Sequence, residues 1–289
     1  MKYGISTYSF HRLLESGSMD MFAVIEKVKE MGFEVIEFSG LQVPDEIEPL
    51  DFAQKVKQKC ADLDLEVGNY TIGADFLQYG MENWEKEVDR LKGEIEIADQ
   101  LGASGMRHDA AWGFPEDYRG LRSFSRALPV LIRGCRAVTE IAREYELKTM
   151  IENHGFFCQD SSRVMEVVNG VNDSNFGVLL DVGNFLCVDE KPVRAVGKLM
   201  PLAFHVHMKD FHVKSGEGLN PGQGWFSTRG GNYLRGAILG HGNVPLKQCL
   251  QIIKDSSYEG VLSLEFEGME DPLQGIAISL QNLKRYLSS

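Results

Sequence analysis

Four acidic or imidazole side chains, far apart in the sequence, each follow directly after a short apolar run that is typical of a buried strand. They are Glu152, Asp181, His207 and Glu265. Three carboxylates and an imidazole gathered in one dry place would be costly to bury unless a cation lay among them. Such oxygen and nitrogen donors suit Mn²⁺, Mg²⁺, Co²⁺ or Zn²⁺, and they do not suit Cu(I) or an iron–sulfur cluster. Because no local spacing joins the four residues, the metal site depends on a fold that brings the strand ends together.

The apolar patterning predicts such a fold. Eight short apolar runs alternate with segments of helical spacing, and this alternation requires parallel strands joined by crossover helices. The predicted strands are 3–8, 34–39, 65–71, 105–109, 148–154, 176–181, 203–208 and 260–266. The clearest predicted helices are 19–31, 83–101, 123–145, 192–200, 246–255 and 272–287, with Gly32, Gly102 and Gly170 as helix-ending glycines. Eight βα units are the number that closes an α/β barrel, the (β/α)8 TIM barrel.

Length and composition fit one such domain over residues 1–289. A closed α/β barrel needs about 250 residues, and no linker rich in Pro, Gly or Ser divides this chain. The 43 % of hydrophobic residues exclude a disordered chain. A membrane-spanning helix is not expected, because the sequence contains no uninterrupted run of about 18 apolar residues. A net charge of −12 argues against nucleic acid or an anionic membrane as a partner. Five scattered Cys without a C-x-x-C pair, and no apolar leader, predict a cytoplasmic protein.

One segment, 211–245, breaks the βα rhythm. It places about 35 glycine-rich residues between the seventh strand and its helix, where a few residues are usual. Two interpretations compete, a surface insertion without a role and a lid. The segment leaves the C-terminal end of a barrel strand, where barrel enzymes bind substrates, and this favours a lid. Trp225 and Phe226 are its candidates for covering the site.

Further polar and aromatic residues near the strand ends are candidates for substrate contacts. The set comprises Glu37, His108, His154, Asn184, Lys209, Trp112 and Arg229. Glu37 is equally compatible with a buried ion pair, and a structural pair with Arg107 is the alternative for His108. His205 lies one pleat from His207 on the same strand face, so it is expected to be a buried, hydrogen-bonded histidine.

The chain resembles the xylose-isomerase-like TIM-barrel superfamily, and within it the sugar phosphate isomerase/epimerase group. Four motifs in the same order carry the resemblance: Ile151-Glu152-Asn153-His154, Leu180-Asp181-Val182-Gly183-Asn184, His205-Val206-His207-Met208-Lys209-Asp210 and Leu262-Ser263-Leu264-Glu265. The resemblance implies that Glu152, Asp181, His207 and Glu265 hold one divalent metal ion. It also implies that the two glutamates act as acid and base on opposite faces of a sugar.

The resemblance therefore predicts a metal-dependent sugar or sugar phosphate isomerase/epimerase with a small-molecule carbohydrate as its partner. A metal ion would stabilise the enediolate that forms when a proton leaves the carbon beside the carbonyl. A lyase or dehydratase acting on a keto-sugar or keto-glycoside would use the same site. An AP endonuclease and a non-catalytic sugar-binding barrel are further alternatives, and a homo-oligomer is one expectation because such barrels often pair.

Two residues depart from the pattern of ketohexose 3-epimerases in this group. Those enzymes commonly carry His where this chain has Asn184 and Arg where it has Val213. Arg229 or Arg235 from the long loop could supply the missing cation. The three-zinc AP endonucleases use several additional histidines, and Asn69 and Asn184 argue against a trinuclear site here.

Overall fold

The computed structural model describes residues 1–288, which contain a closed barrel of eight parallel strands. The barrel strands are β1 (Lys2–Ser6), β2 (Val35–Ser39), β3 (Glu66–Ile72), β4 (Gly105–His108), β5 (Lys148–Glu152), β6 (Phe176–Asp181), β7 (Ala203–Met208) and β11 (Val261–Leu264). Each strand pairs in parallel with its neighbours in chain order, and β11 closes the ring against β1. The predicted (β/α)8 TIM barrel is confirmed.

Helices cover the outside of the barrel. They are α1 (His11–Glu15), α2 (Met21–Glu30), α3 (Pro49–Asp62), α4 (Glu85–Leu101), α5 (Phe124–Arg143), α6 (Ser161–Val171), α7 (Pro192–Leu199), α8 (Leu246–Asp255) and α9 (Pro272–Ser288). Asp20, Ser123 and Asp160 begin α2, α5 and α6 by accepting a hydrogen bond from a backbone N–H of the first turn. The apolar stripes of these helices pack on the outward faces of the strands and form one core.

Two of the three predicted helix-ending glycines have that role. Gly32 and Gly102 adopt left-handed backbone conformations, with φ of 84° and 72°. The prediction for Gly170 is wrong, because α6 continues to Val171 and Asn172 supplies the left-handed ending with φ of 50°. Gly170 lies instead where α6 meets α5, and a Cβ there would be 2.2 Å from Ile132.

Several strands end earlier than the apolar runs predict. β1 ends at Ser6, whose hydroxyl caps a 3-10 turn over Thr7–Phe10. β5 ends at Glu152, and His154 pairs with Cys158 across a tight turn. β11 ends at Leu264, so Glu265 is the first residue beyond its strand. At the carboxyl ends of β1, β5 and β11, the residues that the apolar runs assign to the strands therefore lie in the connections that follow them.

The segment 211–245 contains a small antiparallel sheet. Strands β8 (Asp210–Lys214), β9 (Phe226–Ser227) and β10 (Tyr233–Ala237) pair in the order β8-β10-β9. The Asp210 carboxylate anchors the return of the chain by accepting hydrogen bonds of 2.9 to 3.0 Å from the N–H groups of Gly240, Gly242 and Val244. Among residues 1–288, no helix has both the length and the apolar character needed to cross a membrane.

Candidate metal centre and substrate cavity

Four neighbouring barrel strands bring the predicted ligands to one point. Glu152 ends β5, Asp181 ends β6, His207 lies in β7 and Glu265 follows β11, and all four are buried. One donor atom from each lies within 4.8 Å of the others. The Nδ1 atom of His207 is 3.6 Å from Glu265 Oε1, 3.8 Å from Glu152 Oε1 and 3.8 Å from Asp181 Oδ2.

This donor set fits a single divalent cation. His207 Nδ1 and Asp181 Oδ2 are buried, and neither atom makes a hydrogen bond within residues 1–288, although the Lys209 ammonium lies 3.7 Å from Asp181 Oδ2. Ligands bound at about 2.1 Å in a tetrahedral arrangement would lie about 3.4 Å apart, close to the spacing around His207 Nδ1. Buried polar atoms without partners are costly, so their convergence makes this cluster a possible metal-binding site.

Neighbouring groups orient the proposed ligands. His207 Nε2 lies 2.7 Å from Glu37 Oε1, an arrangement that places the ring proton on Nε2 and leaves Nδ1 as a lone-pair donor. The Asp181 Oδ1 atom accepts hydrogen bonds from the N–H groups of Gly183 and Asn184, at 2.7 and 2.8 Å. In His207 and Asp181, one polar atom of the side chain is therefore hydrogen-bonded to the protein, and the other faces the centre of the cluster, where it could bind a cation.

Two buried cations border the carboxylates. Arg107 Nη2 lies 2.8 Å from Glu152 Oε2, and the Lys209 ammonium contacts Glu265 and lies 3.2 Å from Glu267 Oε2. Asn184 bridges the two groups, since its Nδ2 donates to Glu152 Oε1 at 3.0 Å and its Oδ1 accepts from Lys209 at 3.4 Å. Asn184 is thus a hydrogen-bonding residue beside Glu152, and its contact with substrate stays a prediction.

The charges of the cluster shift one another strongly. Burial opposes ionisation of Glu265, but Lys209 and His207 lower its pKa to about 2. Burial raises the pKa of Asp181 to about 7, with Lys209 opposing and Glu152 reinforcing the shift. Burial disfavours the charged form of His207, yet Glu37 and Glu265 raise its pKa to about 10, so a second ring proton and a bound cation would compete for Nδ1. The cluster therefore attracts positive charge.

A cavity of about 590 Å³ opens above the cluster at the carboxyl ends of the strands. Glu152 and Glu265 reach its surface together with the predicted residues Trp112, His154 and Lys209. His154 Nδ1 lies 3.0 Å from Asp109 Oδ1, and this carboxylate raises the pKa of His154 against the effect of burial. The other lining residues are Tyr8, Ser39, Gly40, Leu41, Tyr70, Thr71, Ile72, Gly73, Arg90, Glu94, Arg107, Asp109 and Glu267.

Glu37 and His108, two of the predicted substrate-binding residues, do not line this cavity. Glu37 is fully buried behind His207, with its second oxygen 2.9 Å from His205 Nε2, so the predicted alternative of a buried ion pair applies. His108 is fully buried on the outer face of β4, where its ring packs against Phe76. Successive strand residues point to opposite faces, and in β4 Arg107 is the residue that points inward.

Arg229 also lies outside the cavity. Its guanidinium lies 2.9 Å from Asp160 Oδ2 and also contacts the carbonyl of Phe156, so it fastens the long segment to the turn after β5. Sequence reasoning gave no role to Arg90 and Glu94, because two charged residues four apart on α4 are typical of a solvent-facing helix. The sequence is compatible with Arg107 and His108 both contacting substrate or forming a structural pair, and strand alternation could have indicated that Arg107 is the inward-pointing residue of the two.

The comparisons with known proteins agree with this architecture. A family model described as xylose isomerase-like TIM barrel matches residues 25–286. The chain belongs to the xylose isomerase-like TIM-barrel family. Curated relatives of this family member include an inosose dehydratase of Clostridium botulinum, 24 % identical over 149 residues, which are 50 % of this chain and 47 % of that protein. An inosose dehydratase of Clostridium perfringens is 23 % identical over 145 residues, or 49 % and 47 % of the two chains. The chain thus matches about half the length of these relatives.

Solved structures of the family share the fold over nearly the whole chain. A D-tagatose 3-epimerase-like protein superimposes with a TM-score of 0.72 at 20 % identity, covering 100 % of this chain and 97 % of that one. The 3-keto-D-glucoside 4-epimerase of E. coli has a TM-score of 0.69 at 16 % identity, covering 92 % and 94 %. D-allulose 3-epimerase from Methylomonas sp., in complex with D-allulose, has a TM-score of 0.72 at 14 % identity, covering 99 % and 97 %.

Proposed function

We propose that this protein is a divalent-metal-dependent sugar isomerase or epimerase that moves a proton beside a carbonyl group. The observation that carries the proposal is the buried cluster of Glu152, Asp181, His207 and Glu265 at the base of an open cavity. The named activities of similar proteins, an inosose dehydratase and D-allulose 3-epimerase, support a polyhydroxy ketone as substrate. Mn²⁺, Mg²⁺, Co²⁺ and Zn²⁺ all suit the donor set.

Glu152 and Glu265 are the proposed acid and base. Glu152 ends β5 and Glu265 follows β11, the two ends of the four-strand arc that carries the ligands, so a sugar in the cavity would lie between them. Arg107 and Asn184 fix the Glu152 carboxylate, while Lys209 holds Glu265. A bound divalent ion would supply the positive charge that stabilises the substrate anion. If one glutamate removes the proton from one face of the carbon and the other, initially protonated, delivers its own proton to the opposite face, the carbon is inverted.

The cavity favours an uncharged sugar over a sugar phosphate. The Arg and Lys side chains that line it already have carboxylate partners. The Arg90 guanidinium lies 2.7 Å from Glu87 Oε1 and 3.3 Å from Glu94 Oε1. Arg107 pairs with Glu152, and Lys209 pairs with Glu265. A phosphate would need donors that are not already neutralised. Hydroxyl groups of a neutral sugar can use these same carboxylates as hydrogen-bond acceptors.

A dehydratase or lyase is the second candidate function. It is favoured by the contact of Lys209 with Glu265, because this pair can deliver a proton to a leaving hydroxyl at the cavity surface. The curated relatives named inosose dehydratase support the same alternative.

The cytoplasmic location and the homo-oligomer remain predictions. Light scattering would measure the oligomeric state.

Deuterium exchange tests the proposed function directly. The purified protein, loaded with Mn²⁺, is incubated in ²H₂O with ketohexoses, inososes and 3-keto-glucosides, and the products are followed by NMR. Deuterium entering one carbon next to the carbonyl without loss of a group supports an isomerase or epimerase. Release of water or an aglycone identifies the lyase, and failure of all substrates to exchange with a metal-loaded protein contradicts both.

A further inference from the structure

A second, smaller cavity adjoins the candidate substrate cavity. Its volume is about 130 Å³, and it shares Trp112, His154, Lys209 and Glu267 with the larger cavity. Its remaining walls include three phenylalanines from separate parts of the chain, Phe156, Phe211 and Phe226. Trp112 and these phenylalanines are called the aromatic subsite below.

Three of the four rings present unusual apolar surface to solvent. Trp112 is 53 % exposed, Phe156 is 42 % exposed and Phe226 is 36 % exposed, although each lies at the edge of an otherwise polar cavity. Phe211 is buried and supports Phe226 through an edge-on contact with 5.9 Å between ring centroids. Convergent exposed aromatic side chains beside a cavity are typical of ligand-binding surfaces.

The backbone at Phe156 is held in a conformation that disfavours a side chain. Phe156 has a φ of 63°, in the left-handed region where a Cβ is strained. Two contacts maintain it: the Phe156 N–H donates to Gln159 Oε1 at 2.5 Å, and Arg229 donates to the Phe156 carbonyl. A turn alone would be easier to form with Gly or Asn, so the strain indicates that the exposed ring has a use.

We propose that the aromatic subsite binds a second ring of the substrate, so that the substrate is an uncharged keto-sugar bearing a planar or apolar ring as its glycosidic substituent. This inference rests on the proposed function, because it places the sugar against Glu152 and Glu265. The volume fits a single ring, since an apolar cavity of about 150 Å³ holds one benzene molecule. Because four residues line both cavities, one ligand bound there can contact both.

Hydrogen bonds connect the aromatic subsite to the proposed base. Gln159 is buried, and besides accepting from Phe156 it donates from Nε2 to the Asn184 carbonyl at 2.7 Å. Asn184 in turn donates to Glu152 at 3.0 Å. Hydrogen bonds therefore connect the backbone at Phe156 to the Glu152 carboxylate, as suits a site that orients a two-ring substrate.

Binding of matched glycosides tests the subsite without turnover. Phenyl and methyl D-glucopyranosides, in both anomeric forms, are titrated by calorimetry into the Mn²⁺-loaded full-length protein. We expect one phenyl anomer to bind about tenfold more tightly than its methyl counterpart, the gain typical of one ring–ring contact with its apolar burial. In Phe156→Asn the preference should fall to about twofold or less, with an unchanged or higher melting temperature, because Asn tolerates the left-handed backbone.

Two further variants complete the design. Phe226→Ala should also reduce the preference, whereas Leu219→Ala is the matched control, because Leu219 lies in the same segment, is 95 % exposed and does not line the subsite. Equal binding of phenyl and methyl glucosides, no binding of any of them, or a preference that survives the Phe156→Asn/Phe226→Ala double substitution would overturn the proposal.

Metal content and deuterium exchange, measured on the same preparations, separate the two proposals. A protein that holds Mn²⁺ and exchanges deuterium into a simple ketose, but has no phenyl preference, contradicts the aromatic subsite alone. A phenyl preference in a protein that neither retains metal nor exchanges deuterium contradicts the proposed function alone.

Discussion

Replacement of Glu37 by Gln should weaken metal binding although residue 37 touches neither the cavity nor the proposed ion. Glu37 accepts one hydrogen bond from His207 at 2.7 Å and is 2.9 Å from His205 Nε2. A Gln side chain has one acceptor and one NH₂ group, so one imidazole N–H would face a donor. The Nε2 proton of His207 would lose its anionic partner, and the preference for a lone pair on Nδ1 would weaken with it.

The expected magnitude follows from the lost contact. A hydrogen bond to a buried charged group contributes about 1.5–3 kcal/mol, which corresponds to a fall in metal affinity of about 10- to 100-fold. Mn²⁺ affinity is measured by competition with a chelator at constant pH. Glu94→Gln is the control, because it also replaces one carboxylate by an amide. Glu94 lines the cavity and contacts Tyr70 and Arg90, and it contacts none of the proposed ligands.

Two outcomes would refute this reasoning. The first is a Glu37→Gln variant that binds Mn²⁺ as tightly as the unmodified protein. The second is an equal loss of affinity in Glu94→Gln, which would make the effect one of general charge. The melting temperature of each metal-free variant shows whether any loss arises from unfolding.

Three further outcomes follow from the structure. Glu152→Gln should abolish deuterium exchange while the protein retains some metal by elemental analysis, and a fully active, metal-loaded variant would exclude Glu152 as the base. Asp210→Asn should lower the free energy of unfolding in urea by about 2 kcal/mol, because one amide oxygen cannot replace a carboxylate that accepts several backbone hydrogen bonds. Burial lowers the pKa of His108 from 6.5 to about 4, so its contribution to stability is complete above pH 6.5 and is lost as the pH falls towards 4. That shift corresponds to at most about 3 kcal/mol. The free energy of unfolding of His108→Asn should therefore fall less between pH 6.5 and pH 4 than that of the unmodified protein. An equal fall in both proteins would contradict the lowered pKa of His108.

The sequence was sufficient to predict the barrel and the convergence of four distant side chains. Both depend on regular features: the βα alternation determines the ring, and the ring determines that strand ends meet. The sequence did not resolve which face of a strand its last residues occupy, so His108 was selected where Arg107 points inward. A one-residue difference moves a side chain to the opposite face.

Other features depend on tertiary partners that no local pattern reveals. Glu37 and His207 are separated by 170 positions in the chain, and their contact exists only because the barrel closes. Arg229 looked like a free loop cation, whereas in the fold Asp160 neutralises it. No sequence pattern singles out Phe156, because its left-handed backbone conformation can be seen only in the structure.

The proposed metal ligands come from four consecutive strands, β5, β6, β7 and β11, which form one half of the barrel wall. The opposite half, β1 to β4, contributes no proposed ligand, and its loops instead provide lining residues such as Tyr8, Leu41, Gly73 and Trp112. The proposed ligands are thus confined to one half of the ring, whereas the residues that line the two cavities come from both halves. Substitutions in the loops after β1 to β4 can therefore reshape part of the cavity wall without replacing a proposed ligand, which gives a simple physical reason why such a scaffold can diversify.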